Sequence, residues 1–252
     1  MISAMNARDA MLAHANRQLG LVEFYRFLLE HNGWIIPTVN DAPTILVADP
    51  VPAMQVPSMW AFTDAEAFED ACREHTAAGV GPVVRGALLF DAVLALDARV
   101  QQLRLNPSSP ITIRLQTDVL DDFRRFAGAV RVEYTLRGLA GAPSRTVALQ
   151  LARTFDDYLV PYFGELGQGH NIVTLQLPQG SFVAAFTAPD RQREFLATGS
   201  AEQQAAVRFA RVTGAELFGQ AAELGDGVIL NFGGSVSPIG VMLDVCREIV
   251  GG

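Results

Sequence analysis

The chain of 252 residues contains no lysine, so all 19 of its basic residues are arginine. This absence excludes a phosphate-binding loop of the Walker type, in which a lysine contacts the phosphates. The 27 acidic residues outnumber the arginines and give a formal net charge of -8. Because an acidic surface repels phosphate backbones and anionic lipids, we expect neither nucleic acid nor a membrane surface as a partner.

Residues that hold metals or carry out nucleophilic chemistry are also few. The two cysteines, Cys72 and Cys246, cannot form the disulfide framework of a small secreted protein. The four histidines do not form a recognised metal-ligand pattern, and no known catalytic motif occurs. We therefore predict no metal site, no cofactor and no catalytic residue.

Long apolar runs are absent as well. No run approaches the roughly 18 residues that a membrane-spanning helix needs. The first residues, Met1 to Asn6, lack the basic and apolar regions of a signal peptide, so the expected location is the cytoplasm. Half of the residues are nevertheless hydrophobic, which predicts a folded chain with a sizeable core.

Short motifs recur at offsets between 123 and 128 residues, always in the same order. The recurring pairs are Phe62-Thr63 with Phe186-Thr187, Gly86-Ala87 with Gly214-Ala215, Leu105-Asn106 with Leu230-Asn231, and Leu120-Asp121 with Leu243-Asp244. Each motif lies at a predicted boundary between a strand and a helix or turn. The sequence therefore predicts two diverged copies of one module.

Each copy is predicted to be an α/β module with a mixed sheet, in the order strand, strand, helix, strand, helix, strand, helix. Thr63 and Thr187 are the predicted N-caps of the first helix in their copies. Residues 1–127 would hold an N-terminal helix and the first module, and residues 154–252 the second. Between them, residues 128–153 are predicted to form a connecting β-hairpin. A helix is predicted at 155–166, kinked by Pro161.

The hairpin prediction depends on alternation of apolar and polar residues on both sides of a turn that contains glycine and proline. The alternating apolar residues are Val130, Val132, Tyr134 and Leu136, followed by Val147, Leu149 and Leu151.

The first module resembles the SseB N-terminal domain, a family named for enhanced serine sensitivity and for type III secretion. The resemblance is carried by Phe24-Tyr25 with Leu28-Leu29, by Ala61-Phe62-Thr63-Asp64, and by Leu105-Asn106-Pro107-Ser108-Ser109. The second module departs from the pattern at Phe232, where the family has proline. The resemblance implies a bacterial cytoplasmic protein tied to secretion or amino-acid sensitivity, and it implies no catalytic residues.

A glycine-containing loop is the candidate ligand-binding site. Its residues are Asn231, Gly233, Gly234 and Ser235, which follow an apolar strand and are predicted to precede a helix. Glycines let backbone N–H groups approach an anion, and a helix N-terminus favours negative charge. The alternative interpretation is a turn that lengthened as the two copies diverged.

Arginines in the middle of the chain are the candidate interaction surface. Arg124, Arg125, Arg131 and Arg137 would form a basic face for an acidic partner. The alternative is an ordinary solvated surface.

Three functions follow from the sequence. The first is a non-catalytic protein-interaction module that binds an unidentified protein partner, with a second copy of the chain as a further candidate partner. The second is a sensor of a small anion or amino acid, and the third is an enzyme with an unrecognised site.

Overall fold

The computed structural model describes residues 5–39, 42–43, 45–46, 57–74, 101–139, 145–164 and 172–251. The chain divides into two compact units, Met1–Val130 and Arg131–Gly252. Helices and open sheets occur in both, which confirms the mixed α/β class. The strand predicted at 80–85 and the helix predicted after Gly86 lie outside the described residues.

The first unit is described by three helices and six strands. These are α1 (Ala7–Ala15), α2 (Leu21–Glu30), β1 (Thr38–Val39), β2 (Ala42–Pro43), β3 (Ile45–Leu46), β4 (Ser58–Ala61), α3 (Ala65–Glu74), β5 (Gln102–Leu105) and β6 (Ile113–Gln116). Helix α4 (Thr117–Arg137) follows β6 and continues into the residues of the second unit.

The second unit continues with five helices and six strands among the described residues. These are α5 (Arg145–Thr154), β7 (Tyr158–Tyr162), β8 (Thr174–Leu177), β9 (Gly180–Ala185), α6 (Pro189–Ala197), α7 (Ala201–Ala206), β10 (Arg208–Val212), α8 (Gly214–Leu224), β11 (Gly227–Leu230), β12 (Ile239–Met242) and α9 (Leu243–Gly251).

Each unit contains a four-stranded sheet with the same pattern of directions. In the first unit the order is β3-β4-β5-β6, and in the second it is β8-β9-β11-β12. The two central strands are parallel in both sheets, and each outer strand is antiparallel to its neighbour. Descent of the two units from one duplicated sequence stays a prediction, but their described sheets share one topology.

An aromatic side chain after a helix is anchored in the same way in both units. Trp34 Nε1 donates to the carbonyl oxygen of Leu28 at 2.8 Å, six residues earlier. The hydroxyl of Tyr158 donates to the carbonyl oxygen of Ala152 at 3.2 Å, also six residues earlier. Both aromatic side chains are fully buried. The residue after each one pairs with the end of the central strand, Ile35 with Phe62 and Leu159 with Phe186.

The N-terminal region forms two helices rather than the single predicted one. The sequence predicts Asn6 as the cap of α1, from Asp9 three residues later, and the structure confirms it, because Asn6 Oδ1 accepts the N–H of Asp9 at 2.8 Å. Helix α1 then ends at Ala15, and Arg17 takes a left-handed backbone with φ of 57°. This conformation cannot continue a right-handed helix, so a new helix begins at Leu21.

The predicted β-hairpin at 128–153 is wrong, because both of its arms are helical. Residues 117–137 form the single helix α4, and residues 145–154 form α5. In α5 the buried residues are Ala148 and Ala152, four apart, whereas Val147 is 54% exposed. Burial therefore follows the helical period, and the short alternation of apolar residues was compatible with either structure.

The predicted helix at 155–166 is also wrong, because Tyr158–Tyr162 form strand β7. β7 pairs antiparallel with β10, so that Pro161 lies opposite Phe209. Proline lacks the N–H that a helix interior needs, but it is tolerated in a strand where that N–H is not used by the ladder.

The core of the second unit lies on one face of its sheet. Tyr158, Val183, Leu217, Phe218, Val228, Leu230 and Ile249 are among its buried members. The opposite face carries a smaller apolar cluster formed by Phe182, Ala184 and Ile229. In the first unit, Trp60 and Phe62 pack with Phe68 and Ala71 of α3. The central strands of both sheets are therefore held in apolar cores, and these cores fix the positions of the residues that follow the strands.

Candidate functional site

The candidate site lies where the two parallel strands of the second sheet end. Thr187 follows β9 at a distance of two residues, and Asn231 follows β11 directly. Ligands of open α/β sheets commonly bind beyond the carboxyl ends of parallel strands. The sequence anchors Phe186-Thr187 and Leu230-Asn231 therefore mark the position where a site is expected.

Thr187 and Asn231 bind each other through both backbone and side-chain groups. Asn231 Oδ1 accepts the backbone N–H of Thr187 at 3.1 Å, and Asn231 Nδ2 lies 3.1 Å from Thr187 Oγ1. Asn231 has a φ of 59°, a left-handed conformation in which asparagine is enriched. Each of these residues is only 1% exposed.

The first unit repeats this arrangement with Thr63 and Asn106. Asn106 Oδ1 accepts the N–H of Thr63 at 2.9 Å, and Asn106 Nδ2 donates to Thr63 Oγ1 at 2.9 Å. Asn106 also has a positive φ, of 47°. The Phe-Thr and Leu-Asn anchors found in the sequence are thus a hydrogen-bonded pair that ties the two central strands together at their ends.

A buried carboxylate lies beside Thr187 in the second unit. Glu133, on α4, is 5% exposed, and its Oε1 accepts a hydrogen bond of 2.5 Å from the hydroxyl of Thr187. Its Oε2 lies 3.7 Å from Nη2 of Arg191, whose side chain is 3% exposed. Charged groups are retained at such depth when they are paired and hydrogen-bonded.

The glycine-containing loop is occupied by a carboxylate of the chain itself. Ser235 Oγ donates to Glu194 Oε1 at 2.9 Å, and the N–H of Ser235 lies 3.3 Å from Glu194 Oε2. Glu194 also accepts from Nη1 of Arg191 at 3.1 Å. The loop donors are therefore used, but by a glutamate of α6.

The context predicted for this loop is wrong in one respect. A strand, β12 (Ile239–Met242), follows the loop, and the next helix begins only at Leu243. The loop is therefore a turn between antiparallel strands, without a helix dipole. Of its candidate residues, Asn231 is buried on Thr187, Gly233 has a positive φ of 79°, and Gly234 and Ser235 lie against Glu194. Ligand binding by these residues stays a prediction.

The helix caps near the site differ from the predicted ones. In the first unit, Asp64 rather than Thr63 supplies the capping oxygen, because its Oδ1 accepts the N–H of Ala67 at 2.9 Å. Burial alone would raise the pKa of Asp64, but hydrogen bonds from Ala67 and Thr63 and the charge of Arg8 lower it. In the second unit, α6 has Ala188 at the N-cap and Pro189 in the first turn. The hydroxyls of Thr63 and Thr187 accept hydrogen bonds from Asn106 and Asn231.

The candidate interaction arginines all lie on α4. Arg124 pairs with Asp121 and Arg125 with Asp122, each at 2.8 Å and one helical turn apart. Arg137 is exposed in the last turn, where a positive charge favours the helix dipole. Arg131 is half-buried and also makes contacts within the chain. Binding of a partner by these arginines stays a prediction.

Sequence reasoning missed Glu133, Arg191 and Glu194, which complete the site. Glu133 was hidden by the hairpin prediction, which placed it on a strand. Arg191 and Glu194 are three residues apart on α6, a spacing that predicts an ion pair on one helix face. That spacing was the available signal, but it does not predict contact with the loop at Ser235.

A hydroxyl held by a carboxylate is the pairing that activates a nucleophile. Thr187 and Glu133 have this geometry, but they are 1% and 5% exposed, so a substrate has no approach to them in this conformation. Cys246, the described cysteine, is buried, and burial raises the pKa of its thiol to about 12. The bond between Thr187 and Glu133 therefore stabilises the fold, and neither Thr187 nor Cys246 is exposed as a reactive group.

A second feature of this unit is the open edge of strand β10. Among the described strands, β10 pairs only with β7. The N–H and C=O of Leu159 bond to Phe186, and the C=O of Pro161 accepts from Val173, so these groups point away from β10. Since ladder bonds alternate along an antiparallel pair, Phe209 and Arg211, opposite them, direct their own N–H and C=O outward.

Comparison with protein families, with curated proteins and with solved structures finds no match to this chain. No helix in the described part of the chain is long and apolar enough to cross a bilayer. Within the same residues, no group of three or more histidine, cysteine, aspartate or glutamate side chains is arranged to hold a metal ion.

Proposed function

We propose that the chain is a non-catalytic protein-interaction module whose second unit binds an extended acidic segment of a partner protein. The segment would add as a further strand to the open edge of β10. The observation that carries the proposal is the row of outward-facing backbone groups of Phe209 and Arg211. Such an edge can form a main-chain ladder with an added strand.

The charge of the edge selects the kind of segment. Arg208 and Arg211 are both exposed on β10. Arg211 is partly neutralised by Asp157, whereas its side chain remains 55% exposed. Opposite charges on neighbouring strands stabilise their pairing, and like charges directly opposite each other destabilise it. Acidic side chains in the added strand therefore fit this edge better than basic ones.

Within the described residues, the reactive pair Thr187 and Glu133 and the thiol of Cys246 are buried, which supports a binding role over catalysis. Thr187 and Asn231 at the strand ends and Glu133 on α4 are buried, and Thr187 hydrogen-bonds to both of the others. The resemblance to the SseB N-terminal domain supports the same proposal, with a bacterial cytoplasmic location. Thr63 and Asn106 are among the residues that carry this resemblance. They hydrogen-bond to each other at the strand ends, which indicates a role in the fold and not in a reaction.

Amide hydrogen exchange tests the edge directly. In the free protein, we expect the amides of Phe209 and Arg211 to exchange quickly and those of Ala210 and Val212 to exchange slowly. A short peptide of alternating glutamate and valine should bind, as measured by fluorescence anisotropy, and should protect Phe209 and Arg211. Its lysine-valine counterpart is the matched control. Slow exchange of all four amides in the free protein would contradict the proposal.

Two substitutions at one position separate the backbone contribution from the charge. Arg211→Pro removes an outward N–H that no described residue accepts, so the unit should stay folded while peptide binding is lost. Arg211→Ala keeps the N–H and removes the charge, so binding should weaken but persist. Equal binding by the proline and alanine variants would show that the peptide does not add as a strand.

A further inference from the structure

The carboxylate of Glu194 lies in a cradle of hydrogen-bond donors that would suit any carboxylate. The cradle consists of the N–H and hydroxyl of Ser235 and the guanidinium of Arg191. Ser235 Oγ lies 2.9 Å from Oε1, Ser235 N lies 3.3 Å from Oε2, and Nη1 of Arg191 lies 3.1 Å from Oε2. Both carboxylate oxygens are thus bound. Oε1 accepts from the Ser235 hydroxyl and, at 3.4 Å, from Nη1 of Arg191, and Oε2 accepts from the Ser235 N–H and the same Nη1.

The cradle and its occupant differ in how tightly the fold holds them. The side chain of Arg191 is 3% exposed, whereas that of Glu194 is 33% exposed. Arg191 is also held from its far side by Glu133, whose other oxygen is bound by Thr187. Glu194 can therefore turn into solvent, while the donors that bind it keep their positions.

The loop is shaped for a carboxylate to lie against its backbone. A side-chain carbon added at Gly234 would collide with Oε2 of Glu194, so any other residue there would push the carboxylate away. Arginine presents a planar fork of donors, and charge-assisted bonds to carboxylates are stronger than those between neutral groups.

We propose that this cradle is a binding site for a small carboxylate ligand, which enters by displacing Glu194. The site is independent of the open edge of β10, because none of the cradle residues belongs to that strand. Glu194 acts as a resident competitor. The apparent dissociation constant therefore equals the intrinsic one divided by the fraction of molecules in which Glu194 has left the cradle.

Replacing the resident carboxylate tests the proposal. In Glu194→Ala, sodium acetate should raise the melting temperature, increasingly with concentration, relative to sodium chloride at the same ionic strength. The matched control is Glu216→Ala. Glu216 also accepts an N–H and a hydroxyl, both from Thr213 at 2.8 and 2.9 Å, but it caps an exposed helix end and lacks a buried arginine. Acetate should stabilise this control no more than it stabilises the parent chain.

A second substitution tests which donors bind the acetate. Adding Ser235→Ala to Glu194→Ala should weaken the apparent acetate affinity about tenfold, since a charged acceptor loses one hydrogen bond. In the parent chain, acetate should shift the NMR signals of the Gly234 and Ser235 amides, but at higher concentration than in the variant.

The parent-chain titration also covers the case in which Glu194→Ala does not fold, and Glu194→Gln offers a neutral replacement of the same shape. Equal acetate responses of Glu194→Ala and Glu216→Ala would overturn the proposal. Unmoved Gly234 and Ser235 amides in both the parent chain and Glu194→Gln would overturn it too. A failure of peptide binding at β10 would leave these results unchanged, so the two proposals fail separately.

Discussion

Asn231 ties the end of β11 to the end of β9, because its Oδ1 accepts the backbone N–H of Thr187 at 3.1 Å. Asn106 holds Thr63 in the same way in the first unit, at 2.9 Å. In both cases the asparagine has a positive φ, so the same residue begins the turn after the strand and makes the side-chain hydrogen bond.

Removing the asparagine side chain should therefore destabilise the second unit. Asn231→Gly keeps the left-handed backbone without steric cost but leaves a buried N–H unsatisfied. We expect the free energy of unfolding to fall by about 1–3 kcal/mol. Urea unfolding followed by circular dichroism measures the loss. Tryptophan fluorescence is the internal control, because Trp34 and Trp60 both belong to the first unit. Parent-like stability of this variant would show that the bond is unimportant.

Gly214 should tolerate no larger residue. A side-chain carbon there would collide with the carbonyl oxygens of Ala152 and Arg153, which are backbone atoms and cannot rotate away. Gly214→Ala should lower the free energy of unfolding by about 1–3 kcal/mol. Gly219→Ala, on the same helix but facing open space, should instead raise it by about 0.5–1 kcal/mol. Thermal unfolding of both variants tests this, and the same sign for both would contradict the packing.

His31 should make the first unit less stable in acid. Its ring lies edge-on to Trp34 at 5.2 Å, and its buried Nε2 has no hydrogen-bond partner among the described residues. Burial lowers the pKa of His31 below its ordinary value of 6.5. The unfolded chain therefore binds this proton at a higher pH than the folded chain, and stability falls as the pH drops through about 6.5.

Tryptophan fluorescence during urea unfolding, repeated across this pH range, measures the effect. His31→Gln cannot take up the proton, so its stability should depend less on pH than that of the parent chain. The other three histidines of the chain are present in both proteins. An identical pH dependence in the two proteins would exclude His31 as the source.

Cys246 should react only after the second unit unfolds. Its Sγ lies 3.5 Å from the carbonyl oxygen of Val241, and burial raises the pKa of the thiol to about 12. The thiolate is the reactive form, so alkylation near neutral pH requires exposure. In a Cys72→Ser chain, iodoacetamide at about pH 8 should label Cys246 slowly without urea and rapidly in urea, as followed by mass spectrometry. Equal rates would show that the thiol is accessible in the folded chain.

Part of the site was predictable from the sequence. The recurrence of Phe-Thr and Leu-Asn identified the strand ends that carry Thr187 and Asn231. It identified their equivalents, Thr63 and Asn106, in the same way. The glycine-containing loop was predicted to bind an anion; in the structure Ser235 hydrogen-bonds to the carboxylate of Glu194, and ligand binding by the loop stays a prediction. The recurring motifs could not indicate that this carboxylate is Glu194, because that contact joins residues 41 positions apart.

The segment between the two predicted modules shows where sequence reasoning stopped. Val130, Val132 and Leu136 alternate in the sequence, but they are buried together with Ala129 and Glu133, which follow the helical period. Over so few residues the two periods overlap, and packing decides between them. The same holds for β7, whose pairing with β10 joins segments about fifty residues apart.

The sequence by itself determined the α/β class, the ends of the central strands and the cap of the first helix. Each of these depends on local patterns, such as an apolar run that ends at Asn, or an Asn whose side-chain oxygen accepts the N–H three residues later. Only the tertiary structure decided that residues 117–137 form one helix, that Glu133 and Arg191 are paired inside the fold, and that β10 pairs only with β7 among the described strands. These features depend on contacts between distant segments, and the free energy of burial and pairing there exceeds the local preferences that the sequence expresses.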